Sequence, residues 1–545
     1  MPEPVLRGPA WPARDGAHLL VTGEQMAGLE QQLFASGLPV EALMEKAALA
    51  VCRAIAADWG PRLRRHGAVV LVGPGHNGGD GLVIARELHL AGISTVIWSP
   101  FARHKPLTAD HLRHALWLGI ARLPQAPDPA SGALWIDALF GIDQRRPLDR
   151  AIAALLAQRQ QQRPSTLVAI DIPSGLDDRT GRPLGQACAQ AATTYSIGLI
   201  KQGLVQDPAL AAVGRLQPID LGLPQGLLDS LAAGTPLGLT AADGARPPWP
   251  SHDPAAGKYA RGRLLVIAGS EAYRGAAHLA LLGASASGAG SLRAALAGAQ
   301  ADALWQLLPH VVLQRRLGCD QGGSLLLAQL TATDLERLDA VLLGPGLGPL
   351  HPAAADEQVA WGLLQGFSGL LVLDADGLNR TNVAWLQARR GPTWITPHQG
   401  ELRRLWPHLA DLPALEAAER AAADSGAVVL LKGAHSVIAA PDGRLWQLLA
   451  SAPDSARAGL GDVLAGYAAG RGALALAGTG GSQADGAWLA AAALDHALAG
   501  LEAVTLSGPG GASPPRVAQA LAERPWCRRP DPGDATIKTA ETCKC

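Results

Sequence analysis

Glycines broken by a single acid mark the stretch Ala458-Gly459-Leu460-Gly461-Asp462-Val463-Leu464-Ala465-Gly466, at the head of a long small-residue run. Backbone amides at 459–462, gathered at a helix N-terminus, would form an anion hole for a transferring phosphoryl group. Asp462 would then stand where it can take a proton from an attacking hydroxyl. The plainer reading is a first-turn acid that complements the helix dipole. GxxxxGK[ST] and HExxH are both absent, so neither a P-loop enzyme nor a zinc protease is expected.

A second glycine cluster, Gly73-Pro74-Gly75-His76-Asn77-Gly78-Gly79-Asp80-Gly81, lies between a predicted strand and a predicted helix. It satisfies GxGxxG, and glycines there let a backbone approach a phosphate. The acid that a redox dinucleotide fold wants about 20 residues on is missing. Position 98 is Trp98. Two further predicted strands end at acids, Asp137 before Ala138-Leu139-Phe140-Gly141 and Asp171 before Ile172-Pro173-Ser174-Gly175. Strand carboxyl ends in open α/β sheets are where ligands bind, so Asn77, Asp137 and Asp171 should converge on one crevice. Oxygen donors from Asn, Asp and Ser suit a hard cation. The alternative for each acid is that it caps the helix that follows.

Polar strand ends recur further on, at Gly344-Pro345-Gly346-Leu347-Gly348, at Leu373-Asp374-Ala375-Asp376 and at Thr396-Pro397-His398-Gln399-Gly400-Glu401. Each alone reads equally as a plain β–α turn. Lys432, in Lys432-Gly433-Ala434-His435-Ser436, follows a buried strand and can either reach a phosphate or stay in water.

These groups need a frame, and the apolar pattern supplies two. Helices are predicted at 24–35, 39–58, Asp80–Leu90, Thr108–Leu118 and Leu148–Ala157. Strands are predicted at Ala68–Val72, Ile93–Trp98, Ala133–Ile136 and Thr166–Ile170. Continuously apolar strands alternating with helices argue a parallel sheet covered on both faces, a doubly wound Rossmann-like domain. The stretch Pro224–Arg263 is rich in Gly and Pro and marks a boundary. The pattern restarts with strands at Leu264–Ala268, Asp339–Leu343, Leu370–Leu373 and Val428–Leu431, and helices at Ala276–Ser287, 462–476 and 484–502. The expected organisation is a first domain over 1–230, a linker over 231–262, a second α/β domain over 263–524 and a loose tail over 525–545.

Composition excludes several functions. With 48% hydrophobic and 17% charged residues over 545 positions, a disordered chain is ruled out. The 46 Lys and Arg balance 47 Asp and Glu, so nucleic acid and anionic membrane are not expected partners. The six cysteines contain no CxxC pair, and the first 20 residues lack an apolar core, so a reduced cytoplasmic protein is expected. Homo-oligomerisation is left open.

Taken as a set, the Gly459–Gly466 stretch with Gly346, Gly348, His398 and Lys432 resembles the ribokinase-like fold, and more narrowly the ADP-dependent NAD(P)H-hydrate dehydratases. The loops at His76–Asp80, Asp137–Gly141 and Asp171–Gly175 resemble the NAD(P)H-hydrate epimerases. In this order the two halves resemble the bifunctional NAD(P)H-hydrate repair family. The resemblance implies that R and S hydrates of NADH or NADPH are interconverted in the first domain. In the second, ADP phosphorylates the S form and phosphate loss restores NAD(P)H, leaving AMP. It also implies a potassium ion on Asn77, Asp137 and Ser174. The hydrated dinucleotide would lie against His76, Asn77, Gly78, Gly79, Asp80, the loop Gly141, Ile142, Asp143, Gln144, Arg145, Arg146 and Pro147, and Asp171. Asp171 takes the acid/base role there, with Lys105 a further candidate. In the second domain Ala276, Gly346, His398 and Asp462 would contact the hydrate, with Asp462 catalytic. Lys432, Gly433, Ala434, His435, Ser436 and Gly461 would hold ADP, whose phosphates magnesium would neutralise. The chain departs from the family at His76 (usually Asn), Leu460 (usually Ser or Thr) and Ser436 (usually Thr). The rival readings are a ribokinase-like small-molecule kinase and a non-catalytic nucleotide-sensing scaffold.

Overall fold

The computed structural model describes residues 11–142, 144–251, 253–349, 357–481 and 483–524. The expected tail at 525–545 and Asp143 of the expected substrate loop lie outside the described residues. The chain divides into two compact units. One comprises Met1–Gly238 with Leu409–Glu419 and Asp442–Leu449, and the other Leu239–His408 with Arg420–Pro441 and Ala450–Cys545.

In the first unit, helices α1 (Gly23–Ala35) and α2 (Val40–His66) precede a seven-stranded sheet. Its strands are β1 (Ala68–Val72), β2 (Thr95–Trp98), β3 (Ala121–Arg122), β4 (Leu134–Ala138), β5 (Leu167–Ile170), β6 (Thr193–Ile197) and β7 (Arg215–Ile219). They lie in the order β3-β2-β1-β4-β5-β6-β7, all parallel. Helices α3 (His76–Leu90), α4 (Pro106–Trp117) and α5 (Arg150–Gln162) connect them. The alternation of side chains along β1 explains the burial of both faces. Ala68, Val70 and Val72 pack with Val51, Ile55 and Leu82 on one side, while Val69 and Leu71 pack with Trp98, Trp135 and Leu156 on the other. Each fully buried aliphatic side chain contributes about 1.5–3 kcal/mol.

Strand order reverses between β1 and β4, and a doubly wound sheet opens its ligand crevice at that point. Helix α3 begins at His76, four residues before the sequence pattern places it. The glycines there shorten the distance between helix and sheet. A methyl group at Gly78 would lie 2.1 Å from the carbonyl of Gly73. Asp137 belongs to β4, one residue short of its end, and does not follow the strand, because β1 and β4 stay in register to Val72 and Ala138.

In the second unit, eight strands among the described residues repeat the winding. They are β8 (Arg263–Ile267), β9 (Ser291–Ala297), β10 (Val312–Leu317), β11 (Ala340–Leu343), β12 (Leu370–Leu373), β13 (Thr393–Ile395), β14 (Val428–Leu431) and β15 (Val437–Ala439). Their order is β10-β9-β8-β11-β12-β13-β14-β15, with only the β14–β15 pair antiparallel. The relevant helices are α6 (Arg274–Ala286), α7 (Gln399–Leu405), α8 (Leu460–Thr479), α9 (Gly486–Gly511) and α10 (Pro514–Glu523). Helix α9 is long and apolar enough to cross a bilayer, and 56% of its apolar window is buried inside the protein. It bends at Gly508, ahead of Pro509.

Candidate active sites

In the first unit, the loops after β1, β4, β5 and β6 surround a cavity of about 320 Å³. Its walls include His76, Asn77, Asp80, Gly141, Ile142, Gln144 and Asp171 among the expected substrate residues, and Lys105. Gly78 and Gly79 are buried, Gly78 against the backbone of Gly73 and Gly79 against Met44 and Thr108, and do not form its wall. Arg145, Arg146 and Pro147 are exposed and lie outside it.

Asp171 is the cavity's most constrained acid. Its φ is +65°, in the left-handed region. Its Oδ1 accepts from the amide of Ile197 at 3.2 Å and from the ammonium of Lys201, whose side chain is 1% exposed. Asp80 faces the same space with no hydrogen bond shown among the described residues. Burial, then the charges of Asp171 and Glu30, push its carboxyl well above the usual carboxylate range. Behind the wall, Asp137 and Ser174 are wholly buried. Ser174 donates from Oγ to Asp137 Oδ1 at 2.7 Å and from its amide to Oδ2 at 2.8 Å, and Leu139 N also donates to Oδ1 at 3.2 Å. Burial raises the Asp137 pKa, and these three bonds oppose the rise. The buried Nδ2 of Asn77 has no partner among the described residues.

Sequence reasoning missed Lys201 and Glu30 as parts of this cavity. Lys201 lies just past β6, a strand that the apolar pattern did not reveal. The rule that strand ends carry chemistry would have found it once β6 was known.

In the second unit, helix α8 starts at Leu460 with Gly459 as N-cap, φ +91°, and no side chain caps it. The first-turn amides of Gly461 and Asp462 therefore point away from the helix without an intrahelical acceptor. Beneath them runs a polar network. Lys432 Nζ donates to Asp374 Oδ1 at 2.7 Å and lies 3.9 Å from Glu401 Oε2. Thr396 Oγ1 donates to the same Asp374 oxygen at 2.8 Å. A methyl at Gly461 would be 3.5 Å from Lys432 Nζ and 3.9 Å from Asp374 Oδ2. The cradle thus faces one ammonium and one buried carboxylate.

His398 caps α7. Its Nδ1 accepts from Gly400 N at 2.9 Å, and its own amide donates to Glu401 Oε2 at 2.8 Å. Lys432 N donates to Pro397 O at 2.9 Å, which sets Lys432 beside His398. Gly346, φ +64°, meets α6 so closely that a methyl there would be 2.6 Å from Ala276 Cβ. The neighbouring Gly348 N donates to Asp376 Oδ2 at 2.8 Å. Gly433 and Ser436 close the β14–β15 turn through Ser436 Oγ, with Ala434 and His435 between them. Asp374, Glu401 and Thr396 belonged to motifs visible in the sequence, but their convergence on Lys432 joins three separate strands and could not be read from spacing.

Electrostatics separate the groups. Burial raises the Asp462 pKa to about 7, with Asp374 and Asp376 adding to the rise and Lys432 opposing it. Burial pushes the Lys432 ammonium down, but Asp374 and Glu401 more than offset this and the net shift is upward. At neutral pH the site therefore holds a fixed cation beside a carboxyl able to gain or lose a proton.

Fold and sites together define a two-domain α/β enzyme, each domain built on a wound, largely parallel sheet with polar groups at its strand ends. The family model described as NAD(P)H-hydrate dehydratase matches residues 264–522, and that of the YjeF-related protein N-terminus matches 40–203. The bifunctional NAD(P)H-hydrate repair enzyme Nnr of Gloeobacter violaceus is 42% identical over 453 residues, covering 82% of this chain and 87% of that protein. Its counterpart in a Synechocystis species is 39% identical, covering 83% of this chain and 85% of that protein. A crystal structure of the ADP/ATP-dependent NAD(P)H-hydrate dehydratase from Bacillus subtilis, co-crystallized with ATP/Mg2+, is 25% identical with a TM-score of 0.41, over 52% of this chain and 95% of that one. The chain belongs to the family of bifunctional NAD(P)H-hydrate repair enzymes.

Proposed function

We infer that the chain repairs hydrated nicotinamide nucleotides. Its first domain epimerises the R and S forms of NAD(P)H hydrate, and its second dehydrates the S form at the expense of ADP. The observation that carries the second activity is the uncapped start of α8 with Asp462 in its first turn, above Lys432. The functional partition that goes with this reading is 1–230 and 263–524.

Water adds to an enamine with its oxygen on the carbon next to nitrogen, so the hydrate carries a carbinol beside the ring nitrogen. Hydroxide leaves such a carbon poorly and phosphate leaves well. Asp462 takes the hydroxyl proton, and the oxygen attacks the terminal phosphorus of ADP while the bond to AMP breaks. The amides of Gly461 and Asp462 hold the transferring phosphoryl oxygens. The phosphate then departs with the carbon–oxygen bonding pair, the ring nitrogen lone pair fills the gap, and loss of a ring proton restores the double bond. A base with a pKa near the working pH suits the first step.

Magnesium, when bound, neutralises nucleotide phosphates. No group of three or more His, Cys, Asp or Glu able to hold a metal occurs among the described residues. Magnesium carried on nucleotide phosphates needs only one or two protein carboxylates, and Asp374, whose Oδ2 faces Gly461, fits that need. In the first domain, Asn77, Asp137 and Ser174 fit potassium. Exchanging the two ends of the Asn77 amide would put an oxygen at its buried, unpartnered position, and Asp137 Oδ2 keeps a lone pair beyond its single bond. Potassium would supply charge to hold the dinucleotide.

Inverting the carbinol carbon requires a bond at that carbon to break and reform on the other face. Whether the carbon–oxygen or the carbon–nitrogen bond is the one that breaks, a proton moves at the hydroxyl oxygen, and Asp171, on the cavity wall, is the acid/base of this reading. The described cysteines Cys52, Cys188 and Cys319 are free, which fits a reducing cytoplasm. The testing experiment follows reduced-nicotinamide absorbance from separated R and S hydrates with ADP or ATP and Mg2+. S should recover directly and R only through S. A chain that phosphorylates an unrelated alcohol and leaves both hydrates untouched would favour the kinase reading instead.

A further inference from the structure

Asp171 holds a backbone conformation that aspartate rarely adopts, and such strain persists where the surroundings over-determine it. Its amide donates to Tyr195 O at 2.8 Å. Its Oδ1 is engaged twice, by Ile197 N and by Lys201 Nζ. Lys201 donates a further bond to Ile197 O at 2.6 Å, and its backbone pairs in parallel with Val21. The ammonium is therefore held by two acceptors and the residue's backbone by a strand pairing. Oδ2 is turned the other way, for a methyl at Gly141 would lie 3.5 Å from it and 3.5 Å from Asn77 Cβ. Gly141, Asn77 and Asp171 all wall the cavity.

We propose that Lys201 is a positioning residue of the epimerase, pinning Asp171 Oδ1 so that only Oδ2 meets the hydroxyl of the hydrated ring. A carboxylate free to rotate would offer either oxygen at many angles. One held by an ammonium and an amide presents a single oxygen in one direction, and proton transfer depends on that alignment. Lys201 acts through Asp171 and exchanges no proton itself. The inference rests on the epimerase reading of this cavity.

The test uses the full-length chain, purified R-form NADH hydrate and three variants, Lys201→Met, Lys201→Arg and Asp171→Ala. Lys201→Met keeps length and apolar bulk, and should lower kcat for R-to-S conversion about 100-fold with KM changed less than about threefold. Lys201→Arg, which keeps a charged donor, should recover at least about tenfold of that loss. If the methionine variant does not fold, the arginine variant decides, with a kcat roughly three- to tenfold below wild type at unchanged KM. A Lys201→Met protein with wild-type kcat overturns the proposal. So does a loss shared equally by kcat and KM that arginine does not rescue. If Asp171→Ala is inactive while Lys201→Met is normal, only the role of Lys201 falls. A wild-type chain no faster than spontaneous epimerisation overturns this inference and the epimerase reading together.

Discussion

The two domains wind their strands in the same order, yet they hold their key carboxylates in opposite ways. Asp171 is tied to a buried ammonium and kept in a strained backbone conformation. Asp462 sits in the first turn of an uncapped helix, while the nearby ammonium of Lys432 is drawn to Asp374. One arrangement fixes where an oxygen points. The other leaves a carboxyl with a pKa of about 7 beside a row of amides. Proton exchange at a carbinol asks for alignment. Phosphoryl transfer asks for an anion hole and a base that can be emptied and filled near neutrality.

The comparison breaks most sharply at Asp462. Asp462→Asn should reduce dehydration of the S hydrate by ~10³-fold or more and leave R-to-S conversion unchanged. Equal loss in both assays would mean that the two chemistries are not separate. The reciprocal change, Asp171→Ala, should lower catalysed epimerisation by ~10²–10³-fold, down to the spontaneous rate, with dehydration of the S form intact. The two pH profiles sharpen the contrast. In the proposed mechanism Asp462 acts only when deprotonated, so the dehydration rate should fall about tenfold per pH unit below pH 6 and level off above pH 8. A profile flat from pH 5 to 8 would remove Asp462 as base.

A smaller effect is expected in stability. The Asp462 pKa rises from 3.8 to about 7 on folding, so between those pH values the unfolded chain loses its proton first. Folding is penalised increasingly as pH rises through that window, and the penalty is complete above it. Asp462→Asn should therefore be more stable than wild type at pH 8, on the order of 1–3 kcal/mol, with the advantage gone near pH 4. Thermal unfolding at the two pH values checks it.

Much of this frame was legible in the chain itself, for identifiable reasons. Ala68–Val72, Leu370–Leu373 and Val428–Leu431 are apolar at every position, and the strands occupy those same residues. Thr193–Ile197 escaped because its Thr, Thr, Tyr and Ser are polar in type though buried in place. Val312–Leu317 escaped because it carries two arginines on an edge. The start of α3 was hidden by glycines that read as loop and serve a close helix–sheet contact. Within the sites, residues adjacent in sequence were easy to gather. Lys201 with Asp171, and Asp374 with Lys432, are contacts between loops of different strands, and no local spacing encodes them. Arg145 and Arg146 show the converse, for they neighbour Gln144 in the chain but not on the cavity wall.

The central claim is that one chain carries two independent reactions, linked only by the S hydrate. The direct measurement supplies pure R-form NADH hydrate with ADP and Mg2+ to Asp171→Ala, to Asp462→Asn, and to both variants mixed in one vessel. Neither alone should restore reduced-nicotinamide absorbance beyond the spontaneous rate, and the mixture should. A mixture as inactive as its parts would contradict the account.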